Sequence, residues 1–231
     1  MRTAILLLIT LSLPLASEAQ PSMKTITEEY PDRFSTEISY PRFYDQTPVA
    51  QAADKAIAEW ASKKEKEFIA SALAQVRELG VPSGQYESKT GSDVTFYSPR
   101  HLVSVTCDTY EYLGGAHGIS AYRVFNFAVI RGKVKQLALG DLFRKGSNYA
   151  SHVSRLILEK LKEDEDATLV QSGEVKAFTE KQLNRFQVHP DGLTFLFEHF
   201  EVAPYSNGRF KVQLTLEELG PDFEWAKALD L

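Results

Sequence analysis

The residue pattern predicts an α+β fold: a mostly antiparallel sheet with a β-meander, packed against one long and two shorter helices. Three observations lead there. Alternating runs at 102–112 and 119–130 flank a glycine-rich turn, and Arg131-Gly132 turns the chain again into 133–137, which is a meander of hairpins. A helix-period apolar stripe extends over 47–79. Strands and helices do not alternate in the βαβ order that a parallel sheet requires.

The chain opens with Met1-Arg2, a short apolar run over 4–15, Pro14, and then Ser17-Glu18-Ala19 with small residues at the positions a signal peptidase reads. Residues 1–19 therefore read as an export signal, since the run is too short to span a bilayer, which takes about 20 apolar residues. No later stretch approaches that length, so no membrane span is expected after Ala19. The alternation at 33–43 predicts a strand with Phe34, Thr36, Ile38 and Tyr40 on one face, and Pro41 predicts its end or an edge position. Thr47-Pro48 is a helix start, a capping residue followed by proline at the first helical position. Ile57, Trp60, Ala61, Phe68, Ala72, Leu73 and Val76 form the stripe, and Gly80 and Pro82 end it. The charge run 63–67 reads as solvated helix surface.

Residues 83–90 read as loop and 94–97 as a short strand. In 102–112, Val103, Val105 and Cys107 face one way and Ser104, Thr106 and Asp108 the other. A second helix is expected at 147–162, with Tyr149, Val153, Leu156, Ile157 and Leu161 inward. The acidic run 163–166 reads as a solvated loop, and a third helix is expected at 174–185. Strands follow at 186–189, 193–200 and 209–216, with a turn at Asp191-Gly192 and a loop at 204–208.

A net charge of −5 argues against a nucleic-acid partner, which selects basic surface. Apolar residues at 43% and charged residues at 25% are ordinary for a globular chain, so one sizeable core is expected. The single cysteine, Cys107, excludes an internal disulfide and reads as a small buried apolar residue. No serine-nucleophile elbow, phosphate loop, HExxH or cysteine pair is present. No catalytic residue, cofactor or metal is therefore assigned, and no oligomeric state is specified. Among the five histidines, only His199 with Glu201 has a metal-like spacing, and those two read as a strand end. His152 and His189 read as surface residues.

Two segments remain as candidates for binding. In the first, Tyr112, Gly114, Gly115, His117 and Gly118 form a turn that serves as a binding lip, or as a tight crossing fastened by a hydrogen bond from His117. The second is the segment 200–208 with Glu201, Pro204 and Tyr205: an apolar strand leads in, Pro, Ser, Asn and Gly make the turn, and Tyr205 is an exposed contact residue or packs back onto the sheet. The alternative to a binding module is a hydrolase acting on cell-wall polymer or peptide, with His117 and Glu111 or Asp108 as an acid/base pair. A third reading is an interaction subunit of an envelope complex, which would expose a large apolar patch.

These segments carry a resemblance. Tyr112-x-Gly114-Gly115-Ala116-His117-Gly118, the aromatic strand through Asn126, and Leu139-Gly140-Asp141-Leu142-Phe143 resemble the extracytoplasmic domain of the RsiV family. So do Phe186-x-Val188-x-Pro190-x-Gly192-Leu193-x-Phe195 and Glu201-Val202-Ala203-Pro204-Tyr205-x-x-Gly208. Residues 33–98 resemble the companion N-terminal module, which also precedes the catalytic domain of PdaC-type peptidoglycan deacetylases. After the signal read at 1–19, the resemblance implies an N-terminal module at 20–98 and a C-terminal domain at 99–231 packed with it as one unit. RsiV-type proteins are membrane anti-sigma factors whose outer domain binds lysozyme. The implied partners are therefore a lysozyme-like protein or peptidoglycan, and the implied location is periplasmic or extracellular. The chain departs from the family in showing no transmembrane helix, no deacetylase domain, and Leu216-Glu217-Glu218-Leu219 where the family often places Pro-Tyr.

Overall fold

A computed structural model describes residues 21–30, 33–79 and 86–225. The segment expected to be an export signal, 1–19, and the helix stop expected at Gly80 and Pro82 lie outside the described residues. The class is the expected one, α+β with mostly antiparallel strands in two sheets.

The larger sheet runs β1 (Ser22–Tyr30), β2 (Phe34–Arg42), β3 (Tyr86–Ser98), β4 (Leu102–Tyr112), β5 (Ile119–Ile130) and β6 (Lys133–Gln136), in sequence order. Every pair is antiparallel except β2 with β3. That pair is parallel because α1 (Pro48–Leu79) makes the crossover between them, as parallel neighbours require. Thr47 caps the helix as its sequence implies, with the Gln51 N–H bonded to the Thr47 carbonyl at 3.0 Å. Val49, Ala53, Ile57 and Ala61 of α1 pack on Ile38, Val103, Val105, Cys107 and Phe125, which form one face of the sheet. Small residues on the helix let it lie close to that face.

The second half builds a three-stranded sheet, β7 (Phe186–His189), β8 (Gly192–Phe197) and β9 (Phe210–Thr215), all antiparallel. Helix α2 (Tyr149–Lys162) buries Val153, Ile157 and Leu161 in a core shared with Phe186, Phe195 and Leu214. Short helices α3 (Thr168–Gln171), α4 (Glu180–Leu183) and α5 (Leu216–Leu219) are the other α-helices among the described residues. Gly192 is the tight point: an added Cβ would meet the Leu214 carbonyl oxygen at 2.1 Å.

The two sheets meet through polar groups. The face of β4 and β5 opposite α1 carries Ser104, Thr106 and Asn126, all buried. Asn126 donates its amide to the Phe186 carbonyl at 2.8 Å, and Ser104 accepts the Val188 N–H at 3.1 Å. Ser104 also bonds Asn126 Oδ1 at 2.7 Å, and Gln187 reaches Thr106 at 3.1 Å. Strand β7 thus has one edge paired to β8, while side chains of the larger sheet bond the Phe186 carbonyl and the Val188 N–H on its other edge.

Several expectations need correction. Strand β1 was not expected, because its residues are polar and mostly exposed; pairing with β2 along its whole length holds it. Pro41 does not end β2, and β1 covers that strand's outer side, so β2 is not an edge. Residues 86–90, expected as loop, belong to β3, where Ser88 and Thr90 are buried and Thr90 bonds Thr109 across the pair at 3.0 Å. The helix expected over 174–185 survives only as α4. Phe178 leaves helical geometry to pack against Phe197 in a tilted arrangement, at 4.7 Å between centroids, and its N–H bonds Ser154. Thr179 then caps α4 with a reciprocal Gln182 contact. Strand β8 stops at Phe197, short of the expected 200, so His199 and Glu201 are not on a strand.

Two predictions follow from this packing. Asn126→Leu keeps the branched shape but strips partners from the Phe186 carbonyl and Ser104; it is expected to lower unfolding free energy by about 2–4 kcal/mol in urea titration. Cys107 is fully buried, and burial pushes its thiol up to about 12. It should stay unreactive toward a thiol reagent in the folded protein and react at once in denaturant.

Candidate functional site

Both candidate segments are hairpin connections, the first between β4 and β5 and the second between β8 and β9. Gly114 and Gly115 take φ of +95° and +97°, which favours glycine. Gly118 lies under the Tyr110 ring: a Cβ there would sit 2.3 Å from it, so any larger residue would have to displace that ring. Tyr112 closes the turn by donating its hydroxyl to the Gly115 carbonyl at 3.0 Å.

The second connection leaves β8 at Phe197 and folds over 198–209. Pro204 sets the entry to a single 3-10 turn, Tyr205–Asn207. The structure brings the two connections into contact. Tyr205 lies stacked between two histidine rings, His117 at 3.9 Å and His199 at 4.1 Å between centroids. Its hydroxyl donates to the Gly118 carbonyl at 2.9 Å, and the same oxygen accepts His117 Nδ1–H at 3.0 Å. Of the two roles left open for each residue, Tyr205 packs back, and His117 fastens the loop while remaining exposed.

A chain of ion pairs supports the contact from below. Arg185 forks onto Glu201 at 2.6 and 2.9 Å, and Arg209 forks onto Asp108 at 2.8 and 2.7 Å. Glu198 lies between them, 3.9 Å from Arg185 and 3.8 Å from Arg209, and accepts the Tyr122 N–H at 2.6 Å. Arg209 also sits 3.9 Å over the Tyr122 ring. Burial by itself would raise the Glu201 carboxyl, but the bonds from Arg185 and the Glu198 N–H outweigh it and hold the carboxyl below its usual range. Burial, with the charge on Arg209, lowers His199, so its neutral form is favoured.

Two residues at this edge were not among the sequence candidates. Phe200 has φ of +66°, a left-handed conformation uncommon for a bulky residue, and is 65% exposed. The turn around it is held by Glu201, whose carboxylate takes the Glu198 N–H at 2.7 Å, and by the Phe200 N–H on the Ala203 carbonyl at 3.1 Å. Ile119, next to Gly118, is 71% exposed. The sequence did carry a signal for Phe200: a large aromatic beyond the point where the apolar run 193–197 gives way to charged residues. Nothing in the sequence announced the pairing of Arg185 with Glu201 or of Arg209 with Asp108.

The acid/base pair of the hydrolase alternative is not assembled. Asp108 is held by Arg209, and Glu111 bonds Lys64 at 3.0 Å. Glu201, the partner considered for a metal site with His199, is committed to Arg185. No group of three or more metal-ligating side chains occurs among the described residues, and no helix among them is long and apolar enough to cross a membrane.

Comparison with known proteins agrees with this architecture. Residues 27–120 match the family described as "Deacetylase PdaC", and residues 140–217 match "Protein of unknown function (DUF3298)". The chain is 23% identical over 176 residues to the peptidoglycan-N-acetylmuramic acid deacetylase PdaC of Bacillus subtilis, covering 74% of this chain and 35% of that protein. It thus spans about a third of the length of that curated relative. Two solved structures share the fold. One is a DUF3298 family member from Bacteroides fragilis, with 18% identity and a TM-score of 0.55 over 89% of this chain and 96% of that one. The other is a DUF3298 family protein from Pseudomonas aeruginosa, with 16% identity and a TM-score of 0.56 over 87% and 94%.

The depressed Glu201 carboxyl makes the stability of this edge depend on pH. Its ion pair contributes stability that is complete above about pH 4.5 and is lost as pH falls through the lower folded value. Glu201→Gln should therefore be less stable than the parent near neutrality, by about 1–3 kcal/mol. The gap should narrow in acid, as read from urea midpoints measured across pH.

Proposed function

We propose that this chain is an exported, non-enzymatic binding module of the cell envelope, acting in the periplasm or outside the cell, with residues 1–19 as its export signal. Its recognition edge is the joined pair of loops that carries Tyr112, Gly114, Gly115, His117, Gly118, Glu201, Pro204 and Tyr205. Phe200 and Ile119 are its exposed apolar contacts. One observation carries this reading: Phe200 is held in a strained conformation by a clamped turn and still presents its ring to solvent. Strain of this kind costs about 1–3 kcal/mol and concentrates where a side chain must be aimed at something.

The partner proposed is a cell-wall component or a lysozyme-like protein. Similarity to the Bacillus deacetylase supports the cell-wall setting, and the resemblance to the outer domain of the RsiV family supports the lysozyme-like protein. We further propose a division into modules at 20–98 and 99–231. The pairing of β3 with β4 across that boundary supports reading them as one packed unit. The hydrolase alternative gains no support, since both carboxylates considered for His117 are bonded to cations.

Co-sedimentation with purified peptidoglycan and interferometry against lysozyme test the proposal. Saturable retention by one of them is expected, weakened about tenfold or more by Phe200→Ser. Retention by neither removes both named partners. Undiminished binding by Phe200→Ser combined with Ile119→Ser would place the interface elsewhere.

A further inference from the structure

A groove of about 520 Å³ runs beside β5, lined in part by Arg123, Val124, Gln136, Lys181, Asn184 and Arg185. None of the residues lining it belongs to the two-loop edge. Among the described residues no carboxylate lines it either, although the chain as a whole carries a net charge of −5. Arg185 is neutralised from behind by Glu201. Arg123 and Lys181 are exposed and form no ion pair with a carboxylate among the described residues.

The backbone of β5 is open at the same place. Strand β6 pairs with β5 only over Phe127 to Ile130, and the Leu137 N–H on the Asn126 carbonyl, at 2.7 Å, ends that side of the ladder. In an antiparallel strand the peptide groups of alternate residues face the same way. Those of Val124 and Tyr122 therefore point where the Asn126 carbonyl points, away from β4. The Tyr122 N–H is taken by Glu198 at 2.6 Å. Val124 lies between these two closures with its N–H and carbonyl turned into the groove. Outside the β4 ladder, neither has a partner among the described residues.

We infer that this groove is a docking site for a short extended acidic peptide, which adds to the free edge of β5 at Val124 and places carboxylates against Arg123 and Lys181. An unpaired strand edge takes an extended backbone because it offers a donor and an acceptor at fixed spacing. The cations select carboxylate-bearing side chains, and Gln136 and Asn184 add amide groups to the groove wall. Glu198 at one end and β6 at the other limit the added strand to a few residues. A free anion would use the cations alone and leave Val124 unpaired.

The probe is a fluorescein-labelled hexapeptide of alternating valine and glutamate, titrated into the intact protein and followed by anisotropy and by amide NMR. Saturable binding is expected, with a shifted Val124 amide resonance and slower hydrogen exchange at that amide. Arg123→Ala with Lys181→Ala, both at exposed positions, should weaken binding about tenfold. An alternating valine–lysine peptide should not bind. The inference is overturned by no binding, by binding that leaves the Val124 amide unmoved, or by equal binding of a backbone N-methylated peptide.

Discussion

The architecture turns on how the free edge of β7 is satisfied. A strand edge buried without partners would cost several unmade hydrogen bonds, each leaving a desolvated polar group. Here Ser104 and Asn126, side chains of the larger sheet, stand in for the missing strand. The same two residues bond each other, so the arrangement is a closed network and not a set of separate contacts. Helix α1 covers the apolar face of β4 and β5, and the polar face accepts β7. One strand pair therefore joins both cores.

That junction fixes where the loops end up. Strands β4 and β5 carry the glycine turn, and β8 follows β7 and carries the Tyr205 connection. Once β7 is seated on β4 and β5, the ends of the two hairpins come together. The belt from Asp108 through Arg209, Glu198 and Arg185 to Glu201 then locks the approach. These groups are half-buried, so their pairing is screened less than a surface salt bridge would be. The stack of His117, Tyr205 and His199 is the outer end of this support, and Phe200 and Ile119 are what it presents.

Much of this was written locally in the chain. Thr47-Pro48 announced α1 because a cap and a proline act on the first helical turn itself. The hairpin of β4 and β5 was legible because alternation and glycine turns are short-range signals. Strand β1 and the first half of β3 were not, since their polar residues gain from cross-strand neighbours far away in sequence. The expected helix over 174–185 failed for a related reason: helix propensity gave way to burying Phe178 against Phe197. At the site, the glycine and proline turns could be read as rigid and surface-lying. Their mutual contact could not, because nothing in either segment encodes the other.

The amino-acid sequence by itself determined the α+β class, the long helix, the meander, the absence of disulfides and the two turn-rich segments. These follow from periodicity, capping and backbone restriction, which operate within a few residues. The tertiary structure decided that Tyr205 is gripped between two histidines and that Asp108, Glu111 and Glu201 are bound to cations. It also decided that Phe200 is turned outward and that β5 keeps an open edge at Val124. Those outcomes depend on which buried polar groups find partners across distant parts of the chain, a condition that only the packed molecule can satisfy.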